Sequence, residues 1–153
     1  MSEVTNQRLS NVKNVIAIAC GVCDGLGFGT NAKAAILTRG LSEMARLGKA
    51  LGSQSSTFYG LTGLGDLVTT CVNAKSRNRS VGEALGQGKS IDEILSSMSM
   101  VAEGVETVKA AYKLGKKFKV PMPITNEVYN IIYKNKKPRQ AVSDLMQREM
   151  KAE

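Results

Sequence analysis

Every apolar segment of this chain repeats with the period of a helix, and no stretch of useful length alternates apolar and polar residues as a half-buried strand would. The clearest case opens at Thr30 or Asn31. There Ala34, Ile36, Leu37, Leu41, Met44, Ala45 and Leu47 build one apolar stripe that runs to about Leu51 before Gly52 closes it. Composition agrees: aromatic residues make up 5% of the chain, Trp is absent, Pro occurs three times, and Ala, Leu, Lys and Glu abound. The fold class expected is therefore all-α, and 153 residues with 42% hydrophobic content suit one domain with its own core.

Start and stop signals divide the rest. Ser10 or Asn11 caps a first helix reaching about Cys23, with Val12, Val15, Ile16, Ala19 and Cys20 on its apolar face. Gly25-Leu26-Gly27-Phe28-Gly29 breaks that pattern and reads as a flexible joint. After the long second helix come a turn at 55–59 and a helix at 64–72 that holds Asp66 near its positive end. Ser76 caps a helix carrying Val81 and Leu85 and ending at Gly86-Gln87-Gly88, and Ser90-Ile91-Asp92-Glu93 is a capping box for a short helix to about Met98. Residues 102–118 form a longer helix stopped by Val120-Pro121-Met122-Pro123. Two more follow, one at 124–133 and one beginning at Pro138, a favoured first helical position.

Charge and rare residues exclude several chemistries. A net charge of +8 calls for acidic partners, but the cations are spread over several helices with few aromatics among them, which favours small phosphates over nucleic acid. With no His, a Ser-His-Asp triad cannot form, and proton transfer near neutral pH falls to Lys, Asp, Glu, Tyr or Cys. Three cysteines make no disulfide framework, so the expected location is the reducing cytoplasm. Cys20-Gly21-Val22-Cys23 has no second pair and no His to complete a zinc shell, so no metal is expected. The apolar run 15–22 is too short to cross a bilayer. Gly25–Gly29 lacks the spacing of a dinucleotide fingerprint and follows a helix. Gly88-Lys89-Ser90 imitates a P-loop end, but Glu83 stands where the upstream glycine is required.

The stretch from Gly60 to Arg79 carries the positive signal. Glycines at 60, 63 and 65 let backbone approach a ligand, Asp66 accepts hydrogen bonds from hydroxyls, and Ser76-Arg77-Asn78-Arg79 supplies a guanidinium fork with neutral donors beside it. These residue types suit a small phosphorylated polyol; a solvated, basic helix start is the competing reading. Lys13 interrupts an otherwise apolar helix start. Burial and the helix N-terminus would both favour its neutral amine and make it a candidate base, with Asn14 beside it and Asp66 across a cleft. A lysine snorkelling from a helix end is the other reading of that position.

Several segments recur together, in order, in one family: Lys13-Asn14-Val15-Ile16-Ala17, the run from Asn31 to Met44, Gly63-Leu64-Gly65-Asp66-Leu67-Val68, Ser76-Arg77-Asn78-Arg79, Val101-Ala102-Glu103-Gly104 and Pro121-Met122-Pro123-Ile124-Thr125. On these the chain resembles the C-terminal, substrate-binding domain of bacterial NAD(P)-dependent glycerol-3-phosphate dehydrogenase, from about Asn11 to its end. Residues 1–10 match poorly and read as a remnant of a domain junction or of cloning, leaving 11–153 as the helical substrate-binding domain. The resemblance implies a helical fold like the C-terminal half of 6-phosphogluconate dehydrogenase-type enzymes, with an N-terminal Rossmann domain as partner and NAD or NADP as cofactor.

It further implies that Lys13 exchanges a proton with the substrate oxygen as sn-glycerol 3-phosphate and dihydroxyacetone phosphate interconvert, a reaction that feeds phospholipid synthesis. Asn14, Asp66 and Thr70 would orient the lysine and the substrate oxygens. Ser76, Arg77 and Asn78 would hold the substrate, while Arg77, Val101 and Glu103 would meet the cofactor. Without the Rossmann domain the chain alone is expected not to turn over. Two other classes stay open on sequence: a basic helical nucleic-acid-binding module, and a bare helical oligomerisation domain forming a homodimer through apolar helix faces.

Overall fold

The computed structural model describes residues 3–53, 61–73, 75–98 and 103–148, and none of these lies in a strand. The described residues form eight α-helices: α1 Glu3–Gly25, α2 Thr30–Ala50, α3 Asp66–Val72, α4 Arg77–Gly86, α5 Ile91–Ser97, α6 Glu103–Phe118, α7 Pro123–Tyr133 and α8 Pro138–Gln147. A π-helical turn, Leu61–Gly65, leads into α3. The all-α expectation holds, and the starts at Thr30, Arg77, Ile91 and Pro138 follow the signals given above. The turn expected at 55–59 lies outside the described residues, as does Ala102.

The second half of α1 is apolar all round. Val12, Val15, Ile16, Ala17, Ile18, Cys20, Val22 and Cys23 are each essentially inaccessible, so this helix cannot lie on the surface. It runs through the core and packs against α2, α3, α4, α6 and α7. Its start differs from the expected one. The helix begins at Glu3 rather than at Ser10 or Asn11, because Thr5, Leu9 and Val12 continue the buried face inward at helical spacing. Its end is also tighter than a flexible joint. Phe28 N–H donates to the Cys23 carbonyl at 3.0 Å and Gly27 N–H to that of Asp24 at 3.1 Å, with Gly27 at φ 75°, a conformation a side chain would resist.

Between α1 and α4 the backbones touch. A Cβ on Gly21 or Gly25 would run into the carbonyls of Arg79 or Glu83, and one on Gly82 or Gly86 into those of Ile18 or Val22. Two glycines four residues apart on each helix therefore form flat, matching faces, and larger residues at those positions would hold the helices apart. This contact fixes the first turn of α4 relative to the middle of α1.

Polar side chains, some fully buried, tie α2, α7 and α8 together. The Glu43 carboxylate of α2 is fully buried and accepts from Ile124 N–H at 2.6 Å, Thr125 N–H at 3.1 Å and the Thr125 hydroxyl at 3.0 Å, satisfying the free amides at the start of α7. Arg39 of the same helix donates to the Leu145 carbonyl near the end of α8. Lys136 bridges Glu127 at 2.6 Å and Asp144 at 2.7 Å, linking α7 to α8.

Candidate functional site

Lys13 points from α1 to α3. Its Nζ donates to Asp66 Oδ2 at 2.7 Å, across 53 positions of sequence. The lysine side chain is 21% exposed and the aspartate 52%, so one partner is largely sheltered and the other reaches solvent. A half-exposed pair of this kind contributes no more than about 1 kcal/mol to stability. Its geometry matters more than its energy: a primary amine is held by a carboxylate at the edge of the fold. Because α1 begins at Glu3, Lys13 lies well past the first turn. The helix-terminus argument for a neutral amine therefore lapses, since that field fades within a turn.

Asn14, next along α1, belongs to a second cluster. The Asn78 carboxamide, in the first turn of α4, accepts from Gly104 N–H at 2.8 Å through Oδ1. Gly104 also lies against Asn14, whose carbonyl oxygen would stand 3.1 Å from a Cβ built there. Three helices thus meet at one point: α1 through Asn14, α4 through Asn78 and α6 through Gly104. Since Lys13 and Asn14 are neighbours on α1, the amine–carboxylate pair and the carboxamide cluster flank the same turn of that helix.

The other candidates occupy defined places. Thr70 on α3 is half-buried, and its hydroxyl donates to the Asp66 carbonyl at 2.8 Å. Ser76 is the N-cap of α4, its Oγ accepting from Arg79 N–H at 3.2 Å, so its first duty is structural. Arg77 is the exposed first residue of α4, one position before Asn78. Val101 lies outside the described residues. Glu103 opens α6, but its side chain is likewise outside the description.

Two contributors escaped the sequence reading. Arg79 was read there as part of the anion-gripping motif, but its Nη1 reaches Asp24 Oδ2 at 2.8 Å and Glu83 Oε2 at 2.7 Å, and Lys33 joins Asp24 at 3.0 Å. It braces α4 against α1, and Lys33 ties α2 to the same carboxylate. Gly104 was noticed only as the end of a recurring segment; nothing local shows that it would face Asn78. The four-residue spacing of Gly21 with Gly25 and of Gly82 with Gly86 was a legible signal for the close helix pair that brings Asn78 to Asn14.

Burial settles the cysteines. Cys20, Cys23 and Cys71 are free and buried. Burial, followed by the nearby Cys20 and Asp24, pushes the Cys23 thiol up to about 12, while a hydrogen bond with Cys71, then burial, raises Cys20 further. Neither is a nucleophile near neutral pH.

An amine held by a carboxylate, and a carboxamide fixed beside the same turn of α1, are groups that can move a proton and hold an oxygen-rich anion, and Arg77 adds an exposed cation one position before Asn78. Comparisons with known proteins give the family. The family model described as NAD-dependent glycerol-3-phosphate dehydrogenase C-terminus matches residues 4–143. A glycerol-3-phosphate dehydrogenase [NAD(P)+] of Citrifermentans bemidjiense is 59% identical over 142 residues, covering 93% of this chain and 42% of the relative. The crystal structure of glycerol-3-phosphate dehydrogenase from Coxiella burnetii superposes with a TM-score of 0.91 at 41% identity, over 96% of this chain and 45% of that one. The corresponding yeast structure, from Saccharomyces cerevisiae, gives 0.81 at 31%, over 92% and 41%. The chain thus spans less than half the length of these relatives. With its helices, its ordered motifs and this match along nearly its whole length, the chain belongs to the family of NAD-dependent glycerol-3-phosphate dehydrogenase C-terminal domains.

Proposed function

We propose that this chain is the substrate-binding and proton-transferring part of an NAD(P)-dependent dehydrogenase that interconverts sn-glycerol 3-phosphate and dihydroxyacetone phosphate. The observation that carries this reading is the Lys13–Asp66 contact at 2.7 Å, in a chain of this family with no His to do the same work. Oxidation of a secondary alcohol needs a base at its hydroxyl, and reduction of the ketone needs an acid at the same oxygen. Lys13 serves both directions. Its amine takes the hydroxyl proton, and its ammonium returns one to the carbonyl oxygen. Asp66 fixes the amine by the hydrogen bond and, half in solvent, offers a way for the proton to leave.

Arg77 and Asn78 hold the phosphate, the first with charged donors and the second with its amide, while Asn14 and Thr70 fix the position of the reacting oxygens. Ser76 sets the first turn of α4, which carries Arg77 and Asn78, through its cap. The chain offers groups for one wall of a dinucleotide site: Arg77 is an exposed cation at a helix start suited to a phosphate, and Glu103, two positions after Val101 in sequence, opens α6. No strand and glycine-rich turn for the remainder of a dinucleotide is present among the described residues. When bound, the nicotinamide supplies the hydride acceptor or donor. The product would enter phospholipid synthesis in the cytoplasm.

Kinetics of the complete enzyme test the assignment of the anion site. Arg77→Ala is expected to raise KM for glycerol 3-phosphate by about tenfold or more, as loss of a charge-assisted contact would. An unchanged KM would move the phosphate elsewhere.

A further inference from the structure

We infer that Gly104 is a positioning residue: by donating its N–H to Asn78 it fixes which end of that carboxamide faces the ligand, so that Asn78 turns its NH2 donors towards it. The inference rests on the reading above, in which Asn78 holds the phosphorylated substrate. A backbone N–H can only donate, so the Asn78 atom 2.8 Å from Gly104 N must be the carbonyl oxygen. The opposite end of the same group, an NH2 with two donors, is the end left for a ligand. It matches an acceptor, such as a phosphate oxygen, and cannot receive a hydroxyl hydrogen.

Neither side of this bond can slide. Gly104 is buried, and a Cβ there would come within 2.7 Å of Asn78 Oδ1, 2.8 Å of Ile18 Cδ1 and 3.1 Å of the Asn14 carbonyl oxygen. Any side chain would drive α6 away from α1 and α4. On the other side, Asn78 belongs to a helix locked to α1 by the matched glycine faces and by Arg79 bound to Asp24. The same bond anchors the first turn of α6, where Glu103 precedes Gly104. A group that would hold substrate and a segment that would line the coenzyme therefore share one hydrogen bond.

Asn78→Asp separates the two roles of the side chain. The carboxylate keeps an oxygen for Gly104 N–H but replaces the outward donors with an oxygen that repels phosphate. In the complete enzyme, Asn78→Asp is expected to raise KM for glycerol 3-phosphate about tenfold or more, with a smaller change in kcat, while amide exchange at Gly104 stays as slow as in the wild type. Asn78→Ala is expected to raise KM and also to speed that exchange about tenfold or more, because it removes the acceptor. A wild-type KM in Asn78→Asp, or unaltered Gly104 exchange in Asn78→Ala, would overturn the inference while leaving the proposed function standing. A wild-type enzyme that fails to oxidise glycerol 3-phosphate at all would overturn the proposed function and the ligand half of this inference with it.

Discussion

Glu43 shows how a single buried group sets a property of the whole domain. Desolvation dominates its environment and outweighs the hydrogen bonds from Ile124 and Thr125, so its carboxyl is pushed up from an ordinary 4.5 to about 7. In the unfolded chain it ionises near the ordinary value, so between the two values the folded state holds a proton that the unfolded state has lost. The contribution to stability is fully present below about 4.5 and is lost as pH rises through about 7, a swing of about 3 kcal/mol. Urea unfolding of wild type and Glu43→Gln across this range is expected to show the variant gaining on the wild type as pH rises. A difference that stays flat with pH would mean that the carboxylate is already ionised in the fold. At this scale the sequence was least legible. Glu43 lies on an amphipathic helix like any surface glutamate, and only the distant start of α7 explains why it is buried.

At the scale of elements the sequence was far more readable, because caps act locally. Ser76, the Ser90–Glu93 box and Pro138 each mark a helix start by a bond or a fixed dihedral within a few residues. The helix starts that lie earlier than expected fall where local signals are silent. The first turns of α1 are held by Thr5 and Leu9 packing inward rather than by the expected cap at Ser10 or Asn11, while the π-helical turn before Asp66 has no propensity signature. Pairing of helices had one signal in the sequence, the glycine spacing on α1 and α4, which the readings of Gly25 as a joint and Gly86 as a helix stop pass over. That contact makes a sharp prediction: Gly82→Ala places a methyl against the Ile18 carbonyl and should destabilise the domain by about 3 kcal/mol or more, read from denaturant midpoints. A loss below about 1 kcal/mol would mean that the helices can separate without penalty.

Across the whole molecule, the motifs that signalled the site are scattered from Lys13 to Gly104, and their order along the chain carried the family resemblance. Their convergence needed the fold. Asp66 meets Lys13 and Gly104 meets Asn78 only because α3, α4 and α6 all pack on α1. Since the chain spans less than half of its relatives, and no strand lies among its described residues, the 153-residue chain by itself is expected to show no oxidation of glycerol 3-phosphate with added NAD or NADP. Turnover by the chain alone would show that it holds the dinucleotide unaided.

The most direct test of the account is the rate of the complete enzyme carrying Lys13→Met, which keeps an unbranched side chain that stops one atom short of the amine. The expected result is a fall in kcat of about a hundredfold to ten-thousandfold at neutral pH, with folding intact, since the ion pair it breaks contributes little to stability. A kcat within a few-fold of wild type would contradict the claim that this amine carries the proton.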